Sequence, residues 1–307
     1  MIWTMGEMIV EIMRETEDVT LKEAGRFLGP FPSGAPAIFI DTVAKMGHQA
    51  GIIGGVGEDD FGKCILERLI SHGVDCSNVL TDAAASTGCA FVTYFADGSR
   101  KFIFHIGNTP AAKAKMPEVI PQADYFHIMG CSLMANEDFG REIVKTMHGF
   151  RGNGAKISFD PNIRPELLGN GEIIKEVFSV TNVFLPGVSE LLSITGKETV
   201  EEAIAVCFDN ENMEIVALKN GSQGCRIFTR EQQFSMGIYP VEAKDATGAG
   251  DCFDAAFLCG LCEGKSLTDC ARWASAAAAL NTAAFGPMEG VITPAIVEEM
   301  IGQNGGK

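Results

Sequence analysis

Basic residues are scarce in this chain: 24 Lys+Arg stand against 40 Asp+Glu, a formal net charge of −16. That sign is wrong for gripping a nucleic-acid backbone over a broad surface. Nucleic acid is therefore excluded as a partner, and an anionic ligand has to be held locally by backbone N–H groups, a metal ion or a few basic side chains. No stretch reaches the roughly 18 continuous apolar residues of a membrane span, and Met1–Gly6 lacks the basic start of a secretory signal. The expectation is a cytoplasmic protein that meets no membrane. H-E-x-x-H, G-x-S-x-G and a G-x-G-x-x-G after the first strand-like run are all missing, which removes support from zinc-protease, serine-hydrolase and dinucleotide-binding readings. Repeats and low-complexity tracts are absent too. Cysteine is not scarce, with ten residues, but only Cys259 and Cys262 form a C-x-x-C, without a second pair or a nearby histidine to complete a zinc site. In a reducing compartment such thiols serve as small packing residues.

What is present is alternation. Strand-like and helix-like segments succeed each other for most of the length, the pattern of βαβ units around a largely parallel sheet. "MIWTMGEMIVEI" reads as a strand pair broken at Gly6, Pro36–Gly47 as a helix, "AGIIGGVG" as a buried strand, and "FGKCILERLISHG" as a helix capped near Asp59 or Asp60 and ended by Gly73. "AKISFD", "NVFLPG" and "EIVALKNG" read as core strands, and ligands gather at the carboxyl ends of such strands. "CAFVTYFADGSRKFIFHIGN", residues 89–108, breaks the rhythm with a hairpin turning at Asp97-Gly98. Together with Ile9–Phe31 it is expected to form a small separate sheet, a lid of the kind that keeps water from reactive phosphates.

Two stretches suggest anion chemistry, and one is a decoy. "GEDDFGKC" at 57–64 has the G-x-x-x-x-G-K spacing of a phosphate loop, but Cys64 stands where a magnesium-binding Ser or Thr belongs, and Glu58, Asp59 and Asp60 would repel phosphate. "DATGAGDCFDAAF" at 245–257 is different. A Gly-Ala-Gly turn opening a helix offers close backbone approach, free N–H groups and a partial positive charge. A carboxylate next to such a site is costly unless it does chemistry. Phosphoryl transfer to a hydroxyl needs a proton acceptor, which Asp251 can be, and N–H donors, which Gly248, Ala249 and Gly250 can supply.

The run Asp245-Ala246-Thr247-Gly248-Ala249-Gly250-Asp251 closely resembles the second signature of the PfkB family of carbohydrate kinases, which includes ribokinase, fructokinase and 2-keto-3-deoxygluconate kinase. Further pieces follow in the family's order: "SGAPAIFIDTVAKMG" at 33–47, "GGVGEDDFG" at 54–62, "DPNIRPEL" at 160–167 and "KNGSQG" at 219–224. The resemblance implies a single ribokinase-like α/β domain over residues 1–307, a Rossmann-type sandwich with a mostly parallel central sheet and a small β lid from segments of about 9–31 and 86–110. It also implies ATP and Mg²⁺ as cofactors, a small-molecule sugar as partner and a homodimer through the lid, with a monovalent cation left open. Asp251 then resembles the catalytic base, 248–250 the anion hole, and Arg164 a contact to the transferred phosphate or sugar. Lys219, Gly221, Gly224 and Thr247 would meet the nucleotide, Asn281 would lie near the adenine, and Glu190 would help organise magnesium.

The departures bear on the sugar. Ala246 replaces a usual Thr, Gly187 the asparagine paired with Glu190, Glu11 a sugar-binding aspartate, and Ile38 an asparagine of the first signature. Ser33, Gly34 and Asp41 are candidate substitutes for the lost contact, with His105 and Asn108 as candidates from the lid. No arginine occupies the matching lid run "FIFHIGN", so a neutral sugar fits better than a sugar acid. The whole pattern looks most like the tagatose-kinase branch, and the expected reaction is transfer of the γ-phosphoryl of ATP to the primary hydroxyl of a ketohexose, tagatose or fructose. Ribokinase, 2-keto-3-deoxygluconate kinase and a catalytically weak sugar or nucleotide sensor are the alternatives.

Overall fold

The computed structural model describes residues 1–163 and 171–304. Among these, thirteen strands form two sheets: β1 (Ile2–Met5), β2 (Ile9–Arg14), β3 (Phe27–Ser33), β4 (Ala50–Gly57), β5 (Asp75–Asp82), β6 (Gly88–Tyr94), β7 (Arg100–His105), β8 (Tyr125–Met129), β9 (Lys156–Asp160), β10 (Val183–Phe184), β11 (Ile215–Lys219), β12 (Cys225–Phe228) and β13 (Gln233–Met236). The large sheet has the order β13-β12-β11-β10-β9-β8-β1-β4-β5 and the small one β3-β2-β6-β7. From β5 to β11 all neighbours are parallel, while β12 and β13 close one edge as antiparallel strands. The helices are α1 (Ala35–Lys45), α2 (Asp60–Ser71), α3 (Gly130–Ala135), α4 (Glu137–Gly152), α5 (Gly171–Val180), α6 (Val188–Thr195), α7 (Val200–Asp209), α8 (Ala249–Cys262), α9 (Leu267–Thr282) and α10 (Pro294–Asn304). None is long and apolar enough to cross a membrane.

Helices cover both faces of the large sheet, which is why its strands read as continuous apolar runs. One core is built with Phe39 and Val43 of α1, Phe257 of α8 and Trp273 of α9; the other with Phe139 and Ile143 of α4, Val177 of α5 and Leu191 of α6. The expected strand pair at the N-terminus is not a pair. β1 lies between β4 and β8 in the large sheet, whereas β2 pairs with β3 and β6 in the small one. Gly6 is the point where the chain leaves one sheet for the other, and a Cβ there would lie 2.3 Å from Pro36 and Ser132 side-chain atoms. The 57–64 stretch is a helix start, as its acids suggested: Asp59 caps α2, accepting from Gly62 N at 2.9 Å, and holds Thr87 N at 2.8 Å. All ten cysteines are free, with Cys259 buried in α8.

The chain runs outward from β1 through β4 to β5 and resumes at β8 on the other side of β1, so the strand order reverses between β1 and β8 and a crevice opens there at the carboxyl edge. One contact fixes that edge. A Cβ on Gly130 would lie 1.9 Å from the Pro161 carbonyl oxygen, so α3 and the segment following β9 touch backbone to backbone. Gly130→Ala is expected to destabilise the fold by about 1–3 kcal/mol through overpacking, read as a lower urea midpoint. An unchanged midpoint would show that the two segments are not pinned together.

Candidate active site

A cavity of about 830 Å³ occupies the crevice and adjoins a second, more apolar cleft of about 560 Å³; Lys219, Gly221, Ser222, Ala246 and Gly250 line both. The carboxyl ends of three parallel strands supply its charged floor: Glu7 just after β1, Asp160 at the end of β9 and Lys219 at the end of β11. The small sheet forms the opposite wall with Ile9, Glu11, Arg100, Phe102 and Phe104. Strand alternation explains this selection. Along β7, residues 100, 102 and 104 are half-buried and 101, 103 and 105 exposed, and Phe102 and Phe104 stack at 5.2 Å on the inner face.

The 245–251 loop arrives at the cavity tightly organised. Asp245 accepts from Thr247 N at 2.9 Å, Gly286 N at 3.1 Å and the Tyr94 hydroxyl at 3.2 Å. It is a loop-former rather than a ligand. Gly248 has φ +80° as the N-cap of α8, and a Cβ there would lie 2.4 Å from the Pro287 carbonyl oxygen, so glycine is required. The first-turn N–H groups of α8 have no preceding turn to bond to. Gly248, Gly250 and Asp251 line the main cavity. Ala249 instead lines the apolar cleft, and its N–H faces the Ala246 carbonyl at 3.3 Å, so the expected third anion-hole donor is already engaged. Asp251 is buried, and Asn162 Nδ2 donates to its Oδ1 at 3.3 Å. Asn162 itself has φ +38°, a conformation Asn tolerates better than most residues, and its N–H bonds Asp160 Oδ1 at 3.1 Å.

Lys219 lies beneath this loop. Its Nζ donates to Asp160 at 2.7 Å and to Asp254, one turn after Asp251, at 3.0 Å. Burial pulls its ammonium toward neutrality, but the charges of Asp160, Asp254 and Glu190 outweigh that and raise its pKa. For Asp254 burial wins, lifting its carboxyl well above the usual range, with Asp160 adding to the rise and Lys219 opposing it. Glu190 is raised by burial and by Asp160. Its two oxygens accept from Gly187 N at 2.7 Å and Ile163 N at 2.8 Å, so it ties two loops together.

The sugar-side candidates divide. Glu11 accepts from Ser33 Oγ at 2.6 Å and both line the cavity; so does Gly34, where a Cβ would lie 2.4 Å from the Glu7 carbonyl oxygen. Ile38 lines it as well. Asp41 does not: it is buried on α1 about one turn beyond Ile38, held by Lys45 at 2.8 Å and His72 at 2.5 Å. His105 is on the outer face of β7 against Phe91, and Asn108 is exposed beyond the strand, so neither lines the cavity. Asn281 is not in the apolar cleft either; it is buried and donates to the Thr247 carbonyl at 2.7 Å, clamping the loop. That cleft is lined by Gly224, Ile238, Tyr239, Val241 and Ala279. Gly224 is required by close approach, since a Cβ would meet the Met236 carbonyl oxygen at 2.0 Å. Arg164 falls outside the described residues.

Three residues were missed in the sequence. Glu7 directly follows a core strand and is buried, with Ser132 and Cys131 donating to its carboxylate. Asn162 sat unread inside "DPN". Arg100 has the same strand parity as Phe102 and Phe104, which was signal enough to place it on the inner face.

A loop and helix end built for an anion, a buried carboxylate beside them and an apolar cleft alongside make a phosphoryl-transfer site. The profile of the pfkB family carbohydrate kinase matches residues 1–294. The chain belongs to that family. It is 30% identical to fructokinase-1 of Zea mays over 98% of this chain and 97% of that one, and 30% identical to fructokinase-1 of Oryza sativa over 95% of each. A solved E. coli structure named ribokinase II, in complex with ATP and Mg²⁺, is 37% identical, with a TM-score of 0.90 over 98% of this chain and 99% of that one. A Vibrio cholerae fructokinase bound to fructose, ADP and potassium, at 22% identity and TM-score 0.85, shares the fold. The family and this site make the protein an ATP-dependent sugar kinase.

Lys219→Met would leave Asp160 and Asp254 buried without their counter-charge, a loss of about 3–5 kcal/mol at neutral pH. A carboxyl whose folded pKa lies above its unfolded one contributes stability at low pH and loses it as pH rises. The deficit relative to wild type should therefore be larger at pH 8 than at pH 5 in chemical denaturation. A pH-independent deficit would contradict the triad.

Proposed function

We infer that this kinase phosphorylates the primary hydroxyl of a neutral ketohexose, with fructose ahead of tagatose. The observation that carries the reading is that one cavity holds Asp251 and the first turn of α8 together with a polar group, Glu7, Glu11 and Ser33, suited to sugar hydroxyls. Two carboxylates there accept hydrogen bonds from a polyol and repel a sugar acid. The fructokinase names of the plant relatives support the same choice.

Asp251 takes the proton of the primary hydroxyl, oriented by Asn162, while N–H groups at Gly248 and Gly250 hold charge on the moving phosphoryl. Gly221, Gly224 and the apolar cleft seat the nucleotide base and ribose. No group of three or more His, Cys, Asp or Glu side chains among the described residues is arranged to hold a metal ion, and the Glu190 oxygens accept backbone N–H bonds. These residues fit a magnesium ion carried by ATP phosphates and water, with Glu190 ordering the loops around it. When bound, magnesium neutralises phosphate charge. The small sheet acts as the lid. Its outer face exposes Phe27 and Ile103, which supports pairing of two copies through it.

Asp251→Asn should lower kcat by at least about 10³-fold and leave ATP affinity within about threefold. The test is coupled ADP release over fructose, tagatose, psicose, ribose, glucose and 2-keto-3-deoxygluconate. Highest kcat/KM on the sugar acid, or a variant that keeps turning over, would overturn the reading.

A further inference from the structure

Among the described residues, two cationic side chains line the main cavity, Lys219 and Arg100. They are in opposite electrostatic situations. Lys219 is saturated by two carboxylates at 2.7 and 3.0 Å. Arg100 has no carboxylate within ion-pair distance among the described residues; its Nη1 donates at 2.8 Å to the neutral Thr247 hydroxyl, directly before Gly248. In a chain of net charge −16, an arginine left without an acid, half-buried against an anion loop, is a built receptor for an anionic oxygen. Its cross-strand partner Tyr94 reaches the same loop, 3.2 Å from both Asp245 and Thr247. The two residues at the tip of the lid hairpin thus dock on the segment that forms the anion hole.

We propose that Arg100 is a catalytic residue of the lid: its guanidinium binds the γ-phosphoryl of ATP during transfer, and Tyr94 positions it by docking the hairpin on the 245–247 loop. The proposal rests on the kinase reading above. In the step it serves, the bond between the γ-phosphorus and the oxygen bridging to ADP breaks and a bond to the sugar's primary oxygen forms. The hydroxyl proton passes to Asp251, and ADP leaves with the bridging oxygen. Charge is spread over the three equatorial oxygens that move with the phosphorus, and Arg100, hydrogen-bonded to Thr247 beside the start of α8, is placed to meet it. Placement beside Thr247, and not beside Glu7 and Glu11, points to the phosphoryl and not to a carboxylate of the sugar.

The test is Arg100→Met beside Lys101→Met, which changes an exposed side chain on the outer face of the same strand. Arg100→Met should lower kcat by about 100-fold or more while the KM for the sugar stays within about threefold. Added guanidinium should restore part of the rate, and Lys101→Met should match wild type. Measured without sugar, wild type should bind MgATP more tightly than MgADP, and Arg100→Met should lose that preference. This second readout separates the two claims: if no sugar in the panel turns over, the ketohexose reading fails, and a lost ATP preference still supports Arg100. If Arg100→Met does not fold, Arg100→Lys, which keeps the charge without the fork, should lose about tenfold in kcat. A raised sugar KM at unchanged kcat, or an unchanged ATP preference in a folded variant, would overturn the proposal.

Discussion

The first turn of α8 has to present two opposed things to one small volume: N–H donors for an anion and, three residues past the N-cap Gly248, the Asp251 carboxylate. Left alone, a carboxylate beside an anion site would repel the ligand the site is built for. The surrounding structure is arranged to make that juxtaposition tolerable. Gly248 turns the chain with φ +80°, Asn281 and Asp245 hold the loop from behind, and Asn162 donates to Asp251 from the neighbouring segment. Each of these supports lies at a strand end or a helix end of the large sheet, so the placement of Asp251 is set by the fold as a whole.

Charge below the loop follows from the same constraint. Asp160, Glu190 and Asp254 would make the floor strongly negative, and Lys219 is largely consumed in neutralising it. On the proposed function, positive charge for a phosphate would come from the helix end, magnesium carried by the nucleotide, and Arg100 of the small sheet. The lid is suited to that role because β7 sorts its residues by parity: Arg100 with two stacked phenylalanines inward, His105 and Ile103 outward. A small sheet so constructed walls the cavity and sets a cation against the 245–247 loop.

Much of this was legible in the chain. Alternating segments and glycine stops located α1, α2, β4, β9 and β11, and the Gly-Ala-Gly turn before an apolar helix marked a loop that lines the cavity. The failures have specific causes. The partners of β1 and of β2 are not in the sequence, because periodicity shows that a strand exists but not which sheet receives it. Asp41 and His105 carry the right chemistry in the right segments, but Asp41 lies a turn too far along α1 and is taken by Lys45 and His72, and His105 sits on the wrong side of a strand. For His105 the alternation Arg-x-Phe-x-Phe already held the answer. Asn281 was beyond reach, since its role depends on where α9 meets the 245–247 loop, and the Ala249 N–H is taken by a local turn to the Ala246 carbonyl that composition does not show.

The central claim is that a sugar hydroxyl, Asp251 and the first turn of α8 meet around one phosphoryl group. A crystal structure with fructose, MgADP and aluminium fluoride as a mimic of the transferring phosphoryl tests this most directly. The account predicts the sugar's primary oxygen within hydrogen-bond reach of the Asp251 carboxylate and fluorides about 2.7–3.1 Å from the N–H groups of Gly248 and Gly250. A sugar bound with its primary hydroxyl turned from Asp251, or a fluoride complex held away from the α8 terminus, would contradict it.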